Sequence, residues 1–447
     1  MSEKRSFVEK FEDFGGRIAS NFFLRIVRAA FVSIMPIVLA GSVAILLNNV
    51  IAHPTNGLAA FNGFGWLTQL QPIFAGMQFA TMNFLAIYLV FAVAYAAAKE
   101  INADMPWFFG LVGVISYVTL IPTTQVFEVN GYETAVNNVV LARFTNAQGM
   151  FLALIVGVSS AFMLNKIMRS GKVSIKMPES VPPNVSKAFE VMIPAAAVAL
   201  FFSSLTFLFE LLLGMNMFDA ILRSMQEPLN AVMQHPIGIF VMIFIAQGFW
   251  IIGIHGAQLV SVVRDPVGFA ALDANIYAFE AGYAATELPH VWTRAFWDVY
   301  STIGGSGATL GLVIAIIIFA KRKDTRLMGK LSLIPGLFNI NEPIIFGLPI
   351  VLNPIFAIPF ILAPIVASAI GYFFTVIGFA TPAYVLLPWT IPPVINAFLS
   401  TGSLGAAITQ IIALASAVAI YLPFLFMHER MENKKEAKRL AEGSTVA

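Results

Sequence analysis

Cysteine is absent from the 447 residues. Disulfides, thiolate metal sites and a phosphocysteine intermediate are therefore excluded on this chain. Charge is scarce as well: Asp, Glu, Lys and Arg make up 11% of the residues, against roughly a quarter in soluble domains. The five histidines (His53, His235, His255, His290 and His428) stand at no metal-ligand spacing such as HxxxH, so neither a metal nor a cofactor is expected. A nucleic-acid partner is not expected either. The N-terminus is charged and amphipathic and lacks the short apolar core and cleavage site of a signal peptide.

Apolar residues are abundant: 58% of the chain is hydrophobic and the mean hydropathy is +0.82. Apolar segments long enough to cross a bilayer recur, and they are continuous rather than alternating, which excludes a transmembrane barrel. The expected fold class is all-α: a polytopic membrane protein with about ten transmembrane helices, re-entrant hairpins and an N-terminal amphipathic helix. In that first helix Phe7, Phe11, Phe14, Ile18 and Phe22 recur at helical spacing between charged residues, as in a helix lying on a membrane surface. The early apolar segments fall at 29–52, 72–98, 105–121, 149–165, 188–215 and 236–254.

Basic residues orient these spans. With the N-terminus inside, all but Arg143, Arg223 and Arg294 of the 26 Lys and Arg lie on the cytoplasmic side, with Arg264 in an inner loop and the tail after His428 also inside. The polar, proline-rich stretch 171–186 reads as a cytoplasmic connection.

Beyond Asp265 the pattern is irregular. Glu287, His290, Arg294 and Asp298 fall near helical spacing and suit either an internal salt-bridged face or a ligand-contacting one. The glycine-rich run STIGGSG follows at 301–307. It can form a nest of backbone N–H groups or the tip of a re-entrant hairpin, but no lysine follows at P-loop spacing. Pro335, Pro343, Pro349, Pro354, Pro359 and Pro364, then Pro382, Pro388, Pro392 and Pro393, break the later apolar segments. Interrupted segments of this kind are the best pointer in a sequence to a transporter's binding site. Among them Glu342 stands in FNINEPIIFG at 338–347, a carboxylate in an apolar region. Such a residue is costly and usually paired, neutralised or functional.

FNINEPIIFGLPIVLNP at 338–354 resembles the signature of the membrane-embedded enzyme IIC of the phosphoenolpyruvate-dependent sugar phosphotransferase system, lactose/cellobiose/diacetylchitobiose branch. RAAFVSIMPIVLAGS at 28–42 and GIHG at 253–256 are similar to that family too. The resemblance implies a homodimer in the bacterial plasma membrane with both termini cytoplasmic. It implies a cytoplasmic amphipathic N-terminus at 1–28, an interface half at 29–215, a substrate-binding transport half at 216–427 and a basic tail at 428–447. The substrate would be a β-linked disaccharide, phosphorylated on its 6-hydroxyl by phosphorylated enzyme IIB, with enzyme IIA upstream. Because the chain stops at Ala447 without a cysteine, the donor is expected on a separate protein.

Within that frame the residues divide by chemistry. Glu342 can accept charge-assisted hydrogen bonds from sugar hydroxyls or act as a general base toward one; the plain alternative is a structural ion pair. His255, between glycines at the end of an apolar span, can donate to one sugar oxygen and accept from another, or shuttle a proton; the alternative is a histidine satisfied in the packed interior. Glu342 and His255 form the expected catalytic pair. Asn339 and Asn341 flank Ile340, so on a helix only one faces the sugar, Asn341 being favoured; both can instead cap broken helix ends. Gly305 and Ser306 of the glycine-rich run, and Trp389 between Pro388 and Thr390, complete the candidate sugar contacts, the indole as a stacking face. Two other classes remain open: a proton-coupled secondary sugar transporter using Glu342 and His255 as a relay, and a passive channel.

Overall fold

The computed structural model describes residues 17, 20–54, 57–129, 132–173, 183–348 and 350–443. The expected surface helix at 7–22, most of the 171–186 connection and Pro349 lie outside or at the edge of these residues. Among the described residues seven helices are long and apolar enough to cross a membrane, and eight when the bent pair Met217–Gln234 and Pro236–Ile251 counts as one span. The early spans overlie the apolar segments at 29–52, 72–98, 149–165 and 188–215, whereas 105–121 holds only the 13-residue helix Pro106–Val118, shorter than a span. The described residues form two compact units, 20–231 and 232–443, the latter with residue 17.

The first unit contains α1 (Phe22–Leu47), α2 (Gln71–Met82), α3 (Leu85–Glu100), α4 (Pro106–Val118), α5 (Met150–Ser170) and α6 (Pro183–Leu213). Asn21 starts α1 by accepting from the Phe23 and Leu24 N–H groups at 3.0 and 3.3 Å, as an N-cap does. Helix α3 is the hub. Its buried alanines leave room for close approach: a Cβ on Gly113 of α4 would lie 2.8 Å from Ala94, and one on Gly157 of α5 2.7 Å from Val93. Small residues at such crossings let apolar helices gain dispersion contact where water supplies no driving force. An ion pair from Arg25 to Glu100, 2.7 Å, joins the ends of α1 and α3.

One element escaped the expectation of an all-helical chain. Between α4 and α5, β1 (Thr124–Val129) pairs antiparallel with β2 (Tyr132–Asn137), Val129 opposite Tyr132. The signal was present: alternating residues flank the dipeptide Asn130-Gly131, a strong hairpin cue.

The second unit contains α7 (Pro236–Ile251), α8 (Gly256–Glu280), α9 (Thr309–Phe319), α10 (Lys323–Leu337), α11 (Glu342–Gly347), α12 (Pro354–Val376), α13 (Ile395–Thr401) and α14 (Leu404–Gly443). Its core joins α9, α11, α12 and α14 through residues such as Leu312, Ile316, Ile345, Phe356, Phe360 and Tyr421. Gly311 lets α9 meet α14, where an added Cβ would lie 2.7 Å from that of Ala417. The Glu429 carboxylate, on α14, accepts from the Lys321 and Arg322 N–H groups at 2.9 Å each and so caps the entry to α10.

Three expectations are corrected here. Pro359 and Pro364 do not break the chain; α12 runs through both for 23 residues, since packed neighbours hold a helix that proline would disrupt in water. Arg264 is not in an inner loop: it lies inside α8 and is buried. Nor do residues 287–298 form one helix, because Glu287 closes a single 3₁₀ turn and helical structure restarts only at Arg294. The charged face is nevertheless internal at its C-terminal end. Arg294 pairs with Asp298 at 2.7 Å and Asp265 at 3.1 Å, and Asp265 with Arg264 at 2.7 Å. Two cations and two anions cancel, and Arg264 also lies over the Trp297 ring at 4.9 Å, so the buried charges are neutralised in place.

Candidate functional site

The second unit holds several non-helical segments among its apolar helices. Each buried peptide group in them needs a partner, and besides backbone and hydroxyl groups several of the partners are side-chain amides. Asn339 does most: its Oδ1 accepts from the Gly304 N–H at 2.7 Å, and its Nδ2 donates to the carbonyls of Trp389 at 2.6 Å and Ile391 at 3.1 Å. Asn341 Nδ2 donates to the Ser306 carbonyl at 2.8 Å. Two asparagines thus lace together the glycine-rich run, the segment before α11 and the proline-rich run bearing Trp389. The three motifs singled out separately in the sequence meet here.

Backbone shape explains the residue types. Asn339 has φ +61°, a left-handed conformation that asparagine tolerates better than most. Gly305 has φ +94°, and a Cβ there would lie 2.6 Å from Asn341 Cγ and 2.9 Å from the Asn339 carbonyl oxygen. Only glycine lets the two segments approach so closely. Ser306 is buried, and its carbonyl is the Asn341 acceptor.

Asn339 is committed to backbone through both ends of its amide and Asn341 through its Nδ2, whereas Glu342 is not so committed. It is the first residue of α11, with Pro343 next, and Asn341 sits at the N-cap position without a side-chain cap bond. The Glu342 side chain is exposed and makes no hydrogen bond or ion pair with any described residue. A carboxylate at a helix start is favoured by the peptide dipoles, and this one remains available to a ligand. Trp389 is 53% exposed while its carbonyl is held by Asn339, so its indole is presented by a fixed backbone.

His255 lies at the reversal between α7 and α8. Gly253 has φ +80°, and a Cβ on Gly256 would come within 1.8 Å of the Ala246 carbonyl oxygen; the flanking glycines are what the tight turn needs. The imidazole packs against Trp250 with centroids 4.6 Å apart and is exposed. The turn is tied to the loop that follows α11, where the Leu352 N–H donates to the Ile251 carbonyl at 2.7 Å. The His255 turn is thus joined to the C-terminal side of α11, the helix that Glu342 opens.

Other amides of the scaffold were not singled out from sequence. Asn275 Nδ2 donates to the His290 carbonyl at 2.8 Å and the Ala383 carbonyl at 3.0 Å, and its Oδ1 accepts from the His290 N–H at 3.0 Å. Gln234 pairs with both backbone groups of Trp292, and Gln410 Nε2 donates to the Val299 carbonyl at 2.5 Å. The available signal was an amide inside an apolar helix, which alone does not say whether it serves backbone or ligand. Among the described residues no cluster of His, Asp and Glu has the arrangement of a metal site.

Comparison with known proteins gives this arrangement a context. Residues 28–364 match the family described as "Phosphotransferase system, EIIC". The oligo-beta-mannoside-specific EIIC component of Bacillus subtilis (strain 168) is 32% identical over 96% of this chain and 94% of its own length. The cellobiose-specific EIIC component of Geobacillus stearothermophilus is 32% identical over 94% of this chain and 93% of its own. Among solved structures, the transporter ChbC, the IIC component of the N,N'-diacetylchitobiose-specific phosphotransferase system, superposes with a TM-score of 0.89 at 29% identity. That match covers 97% of this chain and 99% of ChbC. With the family match spanning most of the sequence and the fold shared end to end, the chain belongs to the phosphotransferase system EIIC family, lactose/cellobiose/diacetylchitobiose branch.

Proposed function

We propose that this EIIC permease carries a β-linked disaccharide, with Glu342 and His255 at the hydroxyl that receives phosphate. The observation that carries the reading is the exposed Glu342 carboxylate, unpartnered among the described residues, at the head of α11 where two asparagines have drawn three loops together. A carboxylate placed in this way accepts from sugar hydroxyls and takes the proton of the one whose oxygen attacks phosphorus, as the bond from phosphorus to the enzyme IIB donor breaks. The imidazole of His255 donates to or accepts from a neighbouring sugar oxygen. Trp389 offers an apolar ring face with a polar edge, which suits a pyranose. Asn339 and Asn341 shape the site through the backbone, with Gly305 and Ser306 as the surface they hold.

Further support for the substrate class comes from the relatives, whose names specify cellobiose, oligo-beta-mannoside and N,N'-diacetylchitobiose. Phosphorylation by enzyme IIB, itself charged by enzyme IIA, then traps the product, because a sugar phosphate has lost its fit. The reading includes a homodimer in the bacterial plasma membrane with cytoplasmic termini, an interface half at 29–215 and a transport half at 216–427.

The test is Glu342→Gln, which keeps shape and removes charge and basicity. Sugar phosphorylation in membrane vesicles supplied with the soluble relay proteins should fall by about a hundredfold or more, as for loss of a general base, with thermal unfolding unchanged. Wild-type phosphorylation by this variant would refute the assignment.

A further inference from the structure

Helix α10 is inside out by the standards of a water-soluble protein. The residues it buries are small: Thr325, Gly329, Ser332 and Gly336, about one turn apart. They let it close on α9, where a Cβ on Gly329 would lie 2.5 Å from Ile316 Cγ2. Its large apolar residues are turned outward instead, Leu327, Leu331 and Ile334 being 56, 58 and 63% exposed. Small residues within and bulky aliphatics outside make a helix that acyl chains solvate well and water does not.

One edge of the exposed face is basic. Lys323, Arg326 and Lys330 are all exposed and recur at i, i+3 and i+7. With the three aliphatics they fill an arc of about 140°, the basic row along one side and the apolar row along the other. Arg326 is fixed in this row, its Nη2 donating to the Ala320 carbonyl at 2.7 Å. The neighbouring carboxylates are spent: Arg322 takes Asp324 at 2.8 Å and Glu436 at 2.9 Å, and Glu429 accepts from the Lys321 and Arg322 N–H groups. Among the described residues the three cations of the row therefore have no carboxylate partner. Uncompensated cations attract an anion, and the apolar row beside them attracts hydrocarbon. An anionic lipid carries both.

We propose that α10 binds an anionic phospholipid, its phosphate on Lys323, Arg326 and Lys330 and an acyl chain along Leu327, Leu331 and Ile334. A soluble phosphorylated partner would use the basic row and leave the apolar row bare; a zwitterionic lipid would do the reverse. The site is separate from the sugar contacts. Helix α10 nevertheless ends at the segment bearing Asn339 and Glu342, so a lipid held here anchors the element that leads into them.

Native mass spectrometry of the full-length protein in detergent tests this, with dioleoylphosphatidylglycerol and dioleoylphosphatidylcholine offered in equal amounts. Wild type should retain phosphatidylglycerol in preference. Lys323→Gln, Arg326→Gln and Lys330→Gln should each lower that preference about fivefold, whereas Lys330→Arg should preserve it. Leu327→Ser combined with Ile334→Ser should lower retention as well. Excess inorganic phosphate should leave the lipid bound; displacement by phosphate would show that the row takes a free anion, and the proposal falls. An unchanged preference in all three glutamine variants also overturns it. If their sugar phosphorylation falls at the same time, the row serves the soluble phosphoryl donor instead. Should Arg326→Gln not elute as a folded species, the two lysine variants carry the same comparison.

Discussion

A primary amide presents a donor and an acceptor on one short side chain, so it can replace a missing strand partner. Asn339 uses that capacity fully, engaging Gly304, Trp389 and Ile391. Asn339→Ala would orphan three backbone groups, each costing about 1–3 kcal/mol when buried. Its thermal unfolding in detergent should fall well below wild type. Asn339→Asp keeps the acceptor for the Gly304 N–H but loses both donor bonds, and should fall between the two. A wild-type melting temperature for Asn339→Ala would show that these bonds do not hold the loops. From sequence, Asn339 and Asn341 were visible as polar residues in an apolar run. Their division of labour was not, because periodicity says which way a helical side chain points and Asn339 is not on a helix.

Charge neutralisation belongs to elements rather than single residues. Helix α8 carries Arg264 and Asp265 into the interior, and the turn starting at Arg294 supplies the complementary pair. Asp265→Asn would leave two buried guanidinium groups facing one carboxylate. Breaking such a set from one side costs about 3–5 kcal/mol, so the variant should lose most of its folded yield on size-exclusion chromatography. Undiminished yield and stability would show that the cluster is not structural. A milder pH effect is expected at the start of α10. Hydrogen bonding to the Arg322 guanidinium holds the Asp324 carboxyl below its ordinary range, and Asp324 Oδ1 accepts from the Thr325 N–H at 2.8 Å. A depressed carboxyl contributes stability above its unfolded pKa and loses it as pH falls through the folded value. Exchange protection of the Thr325 amide should therefore hold at neutral pH and weaken only below about pH 4; protection lost near neutrality would contradict this. Helix α12 illustrates the opposite limit of sequence reading: its two internal prolines mark breaks by local rules, and neighbouring helices override them.

At the scale of the whole molecule, coupling to the phosphoryl relay is the behaviour to measure. Vesicles holding this permease should accumulate the sugar only as its phosphate, and only when the relay is supplied. Unmodified sugar accumulating on a proton gradient alone would defeat the phosphotransferase reading. Much of the molecule follows from composition. Sparse charge and long apolar runs dictate membrane-crossing helices, because an unpaired peptide group in hydrocarbon is too costly for other shapes. The run around Glu342 likewise stood out, because a carboxylate among apolar residues is expensive, and the structure joins that run to the glycine-rich and proline-rich segments. What only the tertiary structure decided is which polar groups are consumed in building the site and which are left over. That depends on contacts between segments tens of residues apart, as between Asn339 and both Gly304 and Trp389. Hydrogen bonds saturate: an amide bound to backbone is no longer available to a ligand, and only the folded arrangement of loops determines which donors reach which acceptors.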